Sequence, residues 1–492
     1  MSSNSIQNMR DFLLYIEHFS GDAPLIQYLS GKNLVSISTS RFLENVRQIS
    51  VRLMKKELQK KHIGIIGRNS EGWLTAFCAI TNIGSTAVLM NSDLNAGEID
   101  RAIQDTDIEA LFFDSEVENR IEKYIGFSGY PTFCIQENHN ENDNMDMALP
   151  DIEAEDIMCI LYTSGTTGAQ KAVMLSNRAV EAGISHYLET VMKDTAVHLT
   201  VMPLHHAGAL FTSLAALLKE NCVLGVIEGP MKLKRGMGCI KPNSLFAVPS
   251  LLRSIAHELN KKQETAYSDW EESLRYIICG GAQLPVDLIP VFKERDITIF
   301  NIYGATESTV CVIINEATKE LPSVLGKPQN AEVRIENGEL LIRGKTIMTG
   351  YYHNQAATEE VLKDGWYHTG DLACVDENGS YYLTGRKKNL IILSNGENIS
   401  PEELERYLGL SPDISEVIVT EHQDALWAAV WIDCPEDCND KEKMVIRQRV
   451  QNFVKEYNAQ MPTYKQIYNL KFWDSPLPKN ATGKILRSQI KI

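Results

Sequence analysis

At 492 residues, with 44% hydrophobic and 23% charged side chains, the chain has the composition of a folded globular protein and more length than one hydrophobic core serves, so a large, lobed domain and at least one smaller one are expected. Its 64 acidic against 48 basic residues give a formal charge of −16, a field that repels nucleic acid and anionic membrane surfaces, and no basic patch in the sequence offsets it. No apolar stretch approaches the roughly 18 residues of a spanning helix, and the apolar run 12–16, with Asp11 and Glu17 beside it, suits neither a secretory signal nor an anchor, so a cytoplasmic protein without a membrane span is expected.

Taken in chain order, residues 41–56 (RFLENVRQISVRLMKK) carry helical periodicity, 62–67 (HIGIIG) a strand, 72–84 (GWLTAFCAITNIG) a helix and 85–90 (STAVLM) a strand. This alternation continues through the first 380 residues or so and predicts an α/β fold in which helices cover a largely parallel sheet. Residues 136–156 are polar and acidic and read as a surface linker, followed by a strand at 157–162 (IMCILY) and another at 172–175. From about Ala331 the texture changes to short alternating strands around Asn-Gly turns, as in AEVRIENGELLIRG and GSYYLTG, which predicts an antiparallel region. A charged knot, Arg386 to Asn389, interrupts two strands and marks a boundary. The last hundred residues or so combine helices at 401–410 and 441–458 with strands at 416–421 and 426–432, enough for a small α+β domain.

The ten cysteines lack the paired spacings of a disulfide framework or a zinc site, and reduced, mostly buried thiols are expected; Cys434 and Cys438 stand close but have no second pair or nearby histidine to complete a metal site.

Between the strands at 157–162 and 172–175 runs YTSGTTGAQK. Glycines let backbone N–H groups converge on phosphate oxygens, Thr163, Ser164, Thr166 and Thr167 add hydroxyls, and Lys171 adds a positive charge. A Walker A loop would place lysine directly after its last glycine and a serine or threonine after that; here Ala169 and Gln170 intervene and Ala172 follows, which argues against a kinase-like or GTPase-like loop.

The segment YTSGTTGAQKAVMLSN resembles the signature of the adenylate-forming ligases, the superfamily of AMP-binding enzymes that includes acyl-CoA synthetases. Further similar motifs follow in the family's order: PLHHAG (203–208), CGGAQLP (279–285), YGATE (303–307), GWYHTGD (365–371), GRKKNLIILSNGENISPEELE (385–405) and PLPKNATGKILR (476–487). The resemblance, which covers the chain from about residue 35 to its end, implies a large N-terminal AMP-binding domain (1–387) with α/β subdomains and a β-barrel-like subdomain, and a small mobile C-terminal α+β domain (388–492) that carries a catalytic lysine. It implies a reaction that couples a carboxylic acid to AMP with loss of pyrophosphate, and cations and aligned donors are what that transition state needs.

On this resemblance the loop Thr163, Ser164, Gly165, Thr166, Thr167, Gly168 with Lys171 holds the β- and γ-phosphates of ATP, Glu307 helps to position Mg²⁺, and Thr306 reaches the α-phosphate. Gly281, Ala282, Gln283, Tyr303 and Gly304 border the adenine. Asp371 accepts the ribose hydroxyls, with Arg386 near the ribose and phosphates. Lys484 bridges the carboxylate and the α-phosphate, Lys388 is the hinge of the small domain, and Gly396 lies beside the thiol channel after rotation. His206 stands between acyl pocket and thiol channel, while His205 is expected only to pack. Being adjacent, the two should point apart on a helix or strand and not act as a pair. The loop departs from the family pattern at Gln170, where proline is usual, and at Ala172, where glycine is usual, so its exit is expected to differ in stiffness.

Amino-acid-activating members place an aspartate where this chain has Ala207, and a buried ammonium without a partner is costly, so the resemblance implies a fatty or aryl acid without an α-amino group. Gly280 and Gly281 are expected to leave room in the wall of the acyl pocket. GENISPEELE is closer to the acyl-CoA synthetase form of that segment, which favours CoA as acceptor. The chain ends soon after the lysine motif, so no attached carrier domain is expected, and a separate acyl carrier protein is the alternative acceptor. A non-catalytic adenylate sensor is a further alternative, against which the joint presence of Lys171, Glu307, Asp371, Arg386 and Lys484 weighs.

Overall fold

The computed structural model describes the chain except residues 1–5, 21, 123–129, 137–147, 164–169, 261–269, 271, 310–311, 318–323, 330, 395–396, 433, 435–437, 480–484 and 491–492. It packs as two compact units, residues 1–333 with 342–367, and residues 334–341 with 368–492.

The larger unit is built on two sheets. In the seven-stranded sheet, strands Ile157–Thr163, Thr86–Met90, His62–Ile66, Ile108–Phe113 and Thr132–Cys134 run parallel in that order, and Lys171–Ser176 and Gly350–Tyr351 extend it antiparallel beyond Ile157–Thr163. The nine-stranded sheet has a parallel centre, in the order Thr298–Tyr303, Tyr276–Cys279, Ser244–Ala247, Val197–Thr200, Val223–Val226, Pro24–Ser30, with antiparallel edges. The expected α/β alternation is present. Helix Thr39–Lys55 starts where the Ser38 hydroxyl accepts the Arg41 N–H, and it buries Phe42, Val46, Ile49 and Leu53, a helical stripe. Helix Glu71–Asn82, capped by Ser70, crosses between the parallel strands His62–Ile66 and Thr86–Met90 and is buried almost all round because helices Met9–Ser20 and Thr39–Lys55 cover the side turned away from the sheet. The apolar run at 12–16 belongs to helix Met9–Ser20, whose Met9, Phe12 and Ile16 lie in the same core.

The smaller unit holds a sheet of Glu416–His422, Ala425–Trp431 and Ile467–Trp473, with helices Pro401–Leu408 and Asp440–Gln460. Leu404, Leu408, Val419, Leu426, Val430, Val450 and Val454 form its separate core. The Asn-Gly turn expected near residue 337 is there: Asn337 (φ 51°) and Gly338 (φ 80°) are both left-handed, as a two-residue hairpin turn demands. The charged knot forms a short 3₁₀ turn, Lys387–Asn389, between strands Tyr381–Arg386 and Ile391–Ile392. Among the described residues no helix is long and apolar enough to cross a membrane, and no group of three or more His, Cys, Asp or Glu could hold a metal ion.

Candidate active site

The glycine loop joins two antiparallel neighbours, Ile157–Thr163 and Lys171–Ser176, whose register sets Thr163 opposite Lys171. The loop is therefore closed at its mouth by the strand ladder, and Lys171 opens the returning strand. Ser164, Gly165, Thr166, Thr167 and Gly168 lie outside the described residues. The Lys171 ammonium sits 4.7 Å from the centroid of the Tyr351 ring.

Glu307 lies in a single 3₁₀ turn, Thr306–Ser308, three residues beyond the strand Thr298–Tyr303. The turn is pinned at both sides. The Ser308 hydroxyl accepts the Ala305 N–H at 3.0 Å, and Thr309 follows with φ 51°, a left-handed conformation unusual for a β-branched residue, held by its hydroxyl donating to the Thr346 carbonyl at 2.9 Å. The Glu307 carbonyl accepts the Met348 N–H at 2.8 Å, and its carboxylate Oε1 accepts the Tyr351 hydroxyl at 2.9 Å. Among the described residues the second carboxylate oxygen has no partner. One free carboxylate oxygen suits Mg²⁺, which takes one or two protein carboxylates and fills its octahedron with water and phosphate oxygens.

The strands Val197–Thr200, Ser244–Ala247, Tyr276–Cys279 and Thr298–Tyr303 are parallel neighbours, so the segments after them leave from one edge of the sheet. Those segments carry His206 and Ala207, Gly280 to Gln283, and Tyr303 to Thr306, which the fold thus gathers where open α/β sheets bind ligands. Gly281, with φ 84°, makes the turn; Ala282 and Gln283 are exposed. Gly280 does not leave the expected room: a Cβ there would lie 2.7 Å from Ile302 Cγ1, so the missing side chain is used by strand packing.

Ala207 is buried as the first residue of helix Ala207–Leu218, and His206 caps that helix through its carbonyl, which accepts the Leu210 N–H at 3.0 Å. The expectation that His205 and His206 point apart is corrected. Their ring centroids are 4.2 Å apart at 49°, because the pair lies in a turn, where the alternation of a strand or the spacing of a helix does not apply. Burial lowers both imidazoles, His205 to about 3, so both are neutral near pH 7. The residue that holds this turn carries no local sequence signal: the buried Asn69 donates to the Met202 carbonyl at 2.9 Å and accepts the Leu204 N–H at 2.8 Å.

In the smaller unit, Asp371 is buried and its Oδ1 lies 2.7 Å from Arg386 Nε; the two residues are also register partners on paired strands. The preceding turn is braced. Thr369 Oγ1 accepts the Asp371 N–H at 3.0 Å and donates to the Leu340 carbonyl at 2.7 Å, while Glu339 accepts the N–H of Gly370 (φ 70°) at 3.0 Å and pairs with Lys387 at 3.2 Å. Lys388 lies in the 3₁₀ turn that follows. Gly396 and Lys484 lie outside the described residues. The chain on either side of 480–484 is held together by a bridge between Lys479 and Ile485 and by the Leu486 N–H donating to the Pro478 carbonyl at 2.8 Å. One residue further on, Arg487 pairs with Glu405 and donates to the Val419 carbonyl at 3.0 Å.

The sequence model of the family described as AMP-binding enzyme matches residues 18–352, about two thirds of the chain, and that of the AMP-binding enzyme C-terminal domain matches residues 388–491. The chain belongs to the AMP-binding enzyme family. Among curated relatives of this AMP-binding enzyme, the 2-succinylbenzoate–CoA ligase of Bacillus cereus is 26% identical over 449 residues, 87% of this chain and 87% of that protein. The ligase of the same name from Bacillus mycoides is 27% identical over 453 residues, 89% of each. Among solved structures, the O-succinylbenzoate coenzyme A synthetase of Bacillus subtilis in complex with AMP superposes with a TM-score of 0.80 at 24% identity, over 98% of each chain. An anthranilate CoA ligase in complex with anthranoyl-AMP superposes at 0.82 and 20% identity, over 99% of this chain and 98% of that one. At these identities the superpositions establish the fold.

Proposed function

We propose that this AMP-binding enzyme is an ATP-dependent acid–thiol ligase that converts a carboxylic acid to its acyl-adenylate, releases pyrophosphate, and transfers the acyl group to CoA. The observation that carries the proposal is that Lys171 and Glu307 both contact one tyrosine, Tyr351, at the mouth of a glycine and threonine loop. A cation for phosphate oxygens and a carboxylate for their metal are thereby set within one side chain of each other, as a triphosphate with Mg²⁺ requires.

In the first step a carboxylate oxygen of the acid attacks the α-phosphorus of ATP and the bond to pyrophosphate breaks. Thr163, Ser164, Gly165, Thr166, Thr167 and Gly168 offer N–H and hydroxyl donors to the β- and γ-phosphates, and Lys171 adds its charge. Glu307 would hold Mg²⁺, which when bound offsets charge on the phosphate oxygens. Thr306 reaches the α-phosphate; Gly281, Ala282, Gln283, Tyr303 and Gly304 border the adenine. Asp371 takes the ribose hydroxyls, sharing its carboxylate with Arg386. Lys484 enters with the C-terminal domain, 388–492, and stabilises the charge gathered between carboxylate and α-phosphate.

In the second step the thiol sulfur, losing its proton, bonds to the acyl carbon, and the bond to AMP breaks. Rotation about Lys388 withdraws Lys484 and brings Gly396 beside the thiol, with the neutral His206 between acyl and thiol paths. The acid carries no α-amino group, since Ala207 offers an ammonium no partner, and an aromatic acid is favoured by the names of the relatives.

The test is a screen of aryl, fatty and amino acids for exchange of pyrophosphate into ATP, followed by CoA addition to the acids that support it. Acid-dependent exchange, then AMP and acyl-CoA in equal amounts, is expected. Exchange without any thioester on CoA would overturn the choice of acceptor, and no exchange with any acid would overturn the ligase.

A further inference from the structure

Tyr351 is buried, yet its two chemically distinct parts both touch residues of the proposed nucleotide site. Its ring face lies 4.7 Å from the Lys171 ammonium and its hydroxyl donates to Glu307 Oε1 at 2.9 Å. We infer that Tyr351 is a positioning residue that sets Lys171 and Glu307 as one unit, seating the ammonium on its ring and fixing the carboxylate so that its second oxygen faces the metal of the nucleotide. The inference rests on the proposed roles of those two residues and adds the element that joins them.

The backbone around Tyr351 is itself fixed. Tyr351 pairs with Val173, two residues along the strand that Lys171 opens, so Lys171 and Val173 share a face beside the ring. Its own N–H donates to the Thr358 hydroxyl at 2.9 Å, and the next N–H, of Tyr352, donates to the Ala172 carbonyl at 2.8 Å. The Met348 N–H, three residues before the tyrosine, holds the Glu307 carbonyl at 2.8 Å. One short stretch of chain therefore ties down the backbone beside both functional residues.

Each contact has a physical consequence. A lysine side chain has several rotatable bonds, and the electron-rich ring face gives its head one favoured seat that leaves its N–H donors free to turn outward. A carboxylate held at one oxygen by a rigid donor loses rotation about its last bond, which directs the other oxygen before any metal arrives. An ionised carboxylate can only accept, so the Tyr351 hydroxyl is the donor in its contact with Glu307 Oε1. Phenylalanine would preserve the ring and lose the donor; leucine would lose both.

The test is equilibrium binding of ATP by calorimetry to the full-length chain, with and without Mg²⁺, at a temperature where circular dichroism shows every variant folded. For the unaltered protein Mg²⁺ should tighten ATP binding. In Tyr351→Phe the Mg²⁺-free affinity should stay within about twofold while the tightening by Mg²⁺ falls about tenfold, the size expected for a hydrogen bond to a charged group. Tyr351→Leu should also weaken Mg²⁺-free binding, by about threefold, through loss of the cation–π contact. Glu307→Gln should lose the tightening, and adding Tyr351→Phe to it should cost little more. Loss in Glu307→Gln with full tightening in Tyr351→Phe would overturn the role of Tyr351 and spare that of Glu307. Full tightening in both would overturn the reading of Glu307 and the inference with it. Should Tyr351→Phe not fold, Glu307→Asp, which draws the carboxylate back from the hydroxyl, must lose the tightening while keeping Mg²⁺-free affinity, and unchanged tightening there would overturn the inference.

Discussion

Gly208, the second residue of helix Ala207–Leu218, has no space for a side chain: a Cβ there would lie 2.4 Å from Phe246 Cζ and 2.8 Å from Cε1. Carbon contacts settle near 3.5–4.0 Å, so in Gly208→Ala the ring must retreat by roughly 1 Å. Phe246 is 6% exposed, on the central strand Ser244–Ala247, and has little slack to do so. Overpacking of this kind costs about 1–3 kcal/mol, and alanine in place of glycine in a helix recovers about 1 kcal/mol, which leaves a net destabilisation of about 0–2 kcal/mol. Phe246→Leu removes the obstacle, so in the double variant the alanine should become neutral or stabilising, with a coupling of about 1–2 kcal/mol between the two sites. Denaturant unfolding of the four proteins measures this, and because Ala207 and His206 are adjacent, KM for the acid should rise in Gly208→Ala more than KM for ATP. A single variant stabilised by about 1 kcal/mol, with no coupling to Phe246, would refute the packing argument.

Ala207→Asp places an unpaired anion at a buried helix start and should raise KM for the native acid about tenfold or more, measured by pyrophosphate exchange across acid concentrations. Lys388→Pro fixes φ within the 3₁₀ turn and should slow transfer from supplied acyl-adenylate to CoA more than it slows pyrophosphate exchange, the two being assayed separately on folded protein. Glu405 accepts the Val419 N–H at 2.7 Å, and burial pushes its carboxyl up to about 7 from 4.5 against the pull of Arg487. A raised folded pKa means stability that is full below pH 4.5 and is lost as pH rises through about 7. Melting of the C-terminal domain should therefore fall between pH 5 and 8, and Glu405→Gln should flatten that slope; an equal slope in both proteins would contradict it.

Much of the fold is legible because local signals agree with it. Ser38 before the stripe of Phe42, Val46, Ile49 and Leu53, and Asn337-Gly338 between alternating strands, specify a helix and a hairpin turn without distant help. The strands flanking the glycine loop were readable for the same reason. What the sequence hides is contact over distance: Tyr351 meets Glu307 across 44 residues, Asn69 holds Met202 across 133, and Glu339 braces Gly370 across 31. None of these has a periodicity or spacing to betray it. Two local arguments fail for a related reason. Adjacent histidines separate only in regular elements, and theirs is a turn; a glycine opens a pocket only if no neighbour fills the space, and Ile302 fills that of Gly280.

Both half-reactions of Lys484→Ala, assayed separately with an acid that the unaltered enzyme accepts, test whether a lysine from the C-terminal domain drives the first step. A preorganised cation at developing charge is worth several kcal/mol, so adenylation, read by pyrophosphate exchange, should fall about 10²-fold or more, while transfer from supplied acyl-adenylate to CoA should fall far less. Equal losses in the two half-reactions, or undiminished exchange, would contradict a ligase whose C-terminal domain brings Lys484 to the first step and withdraws it for the second.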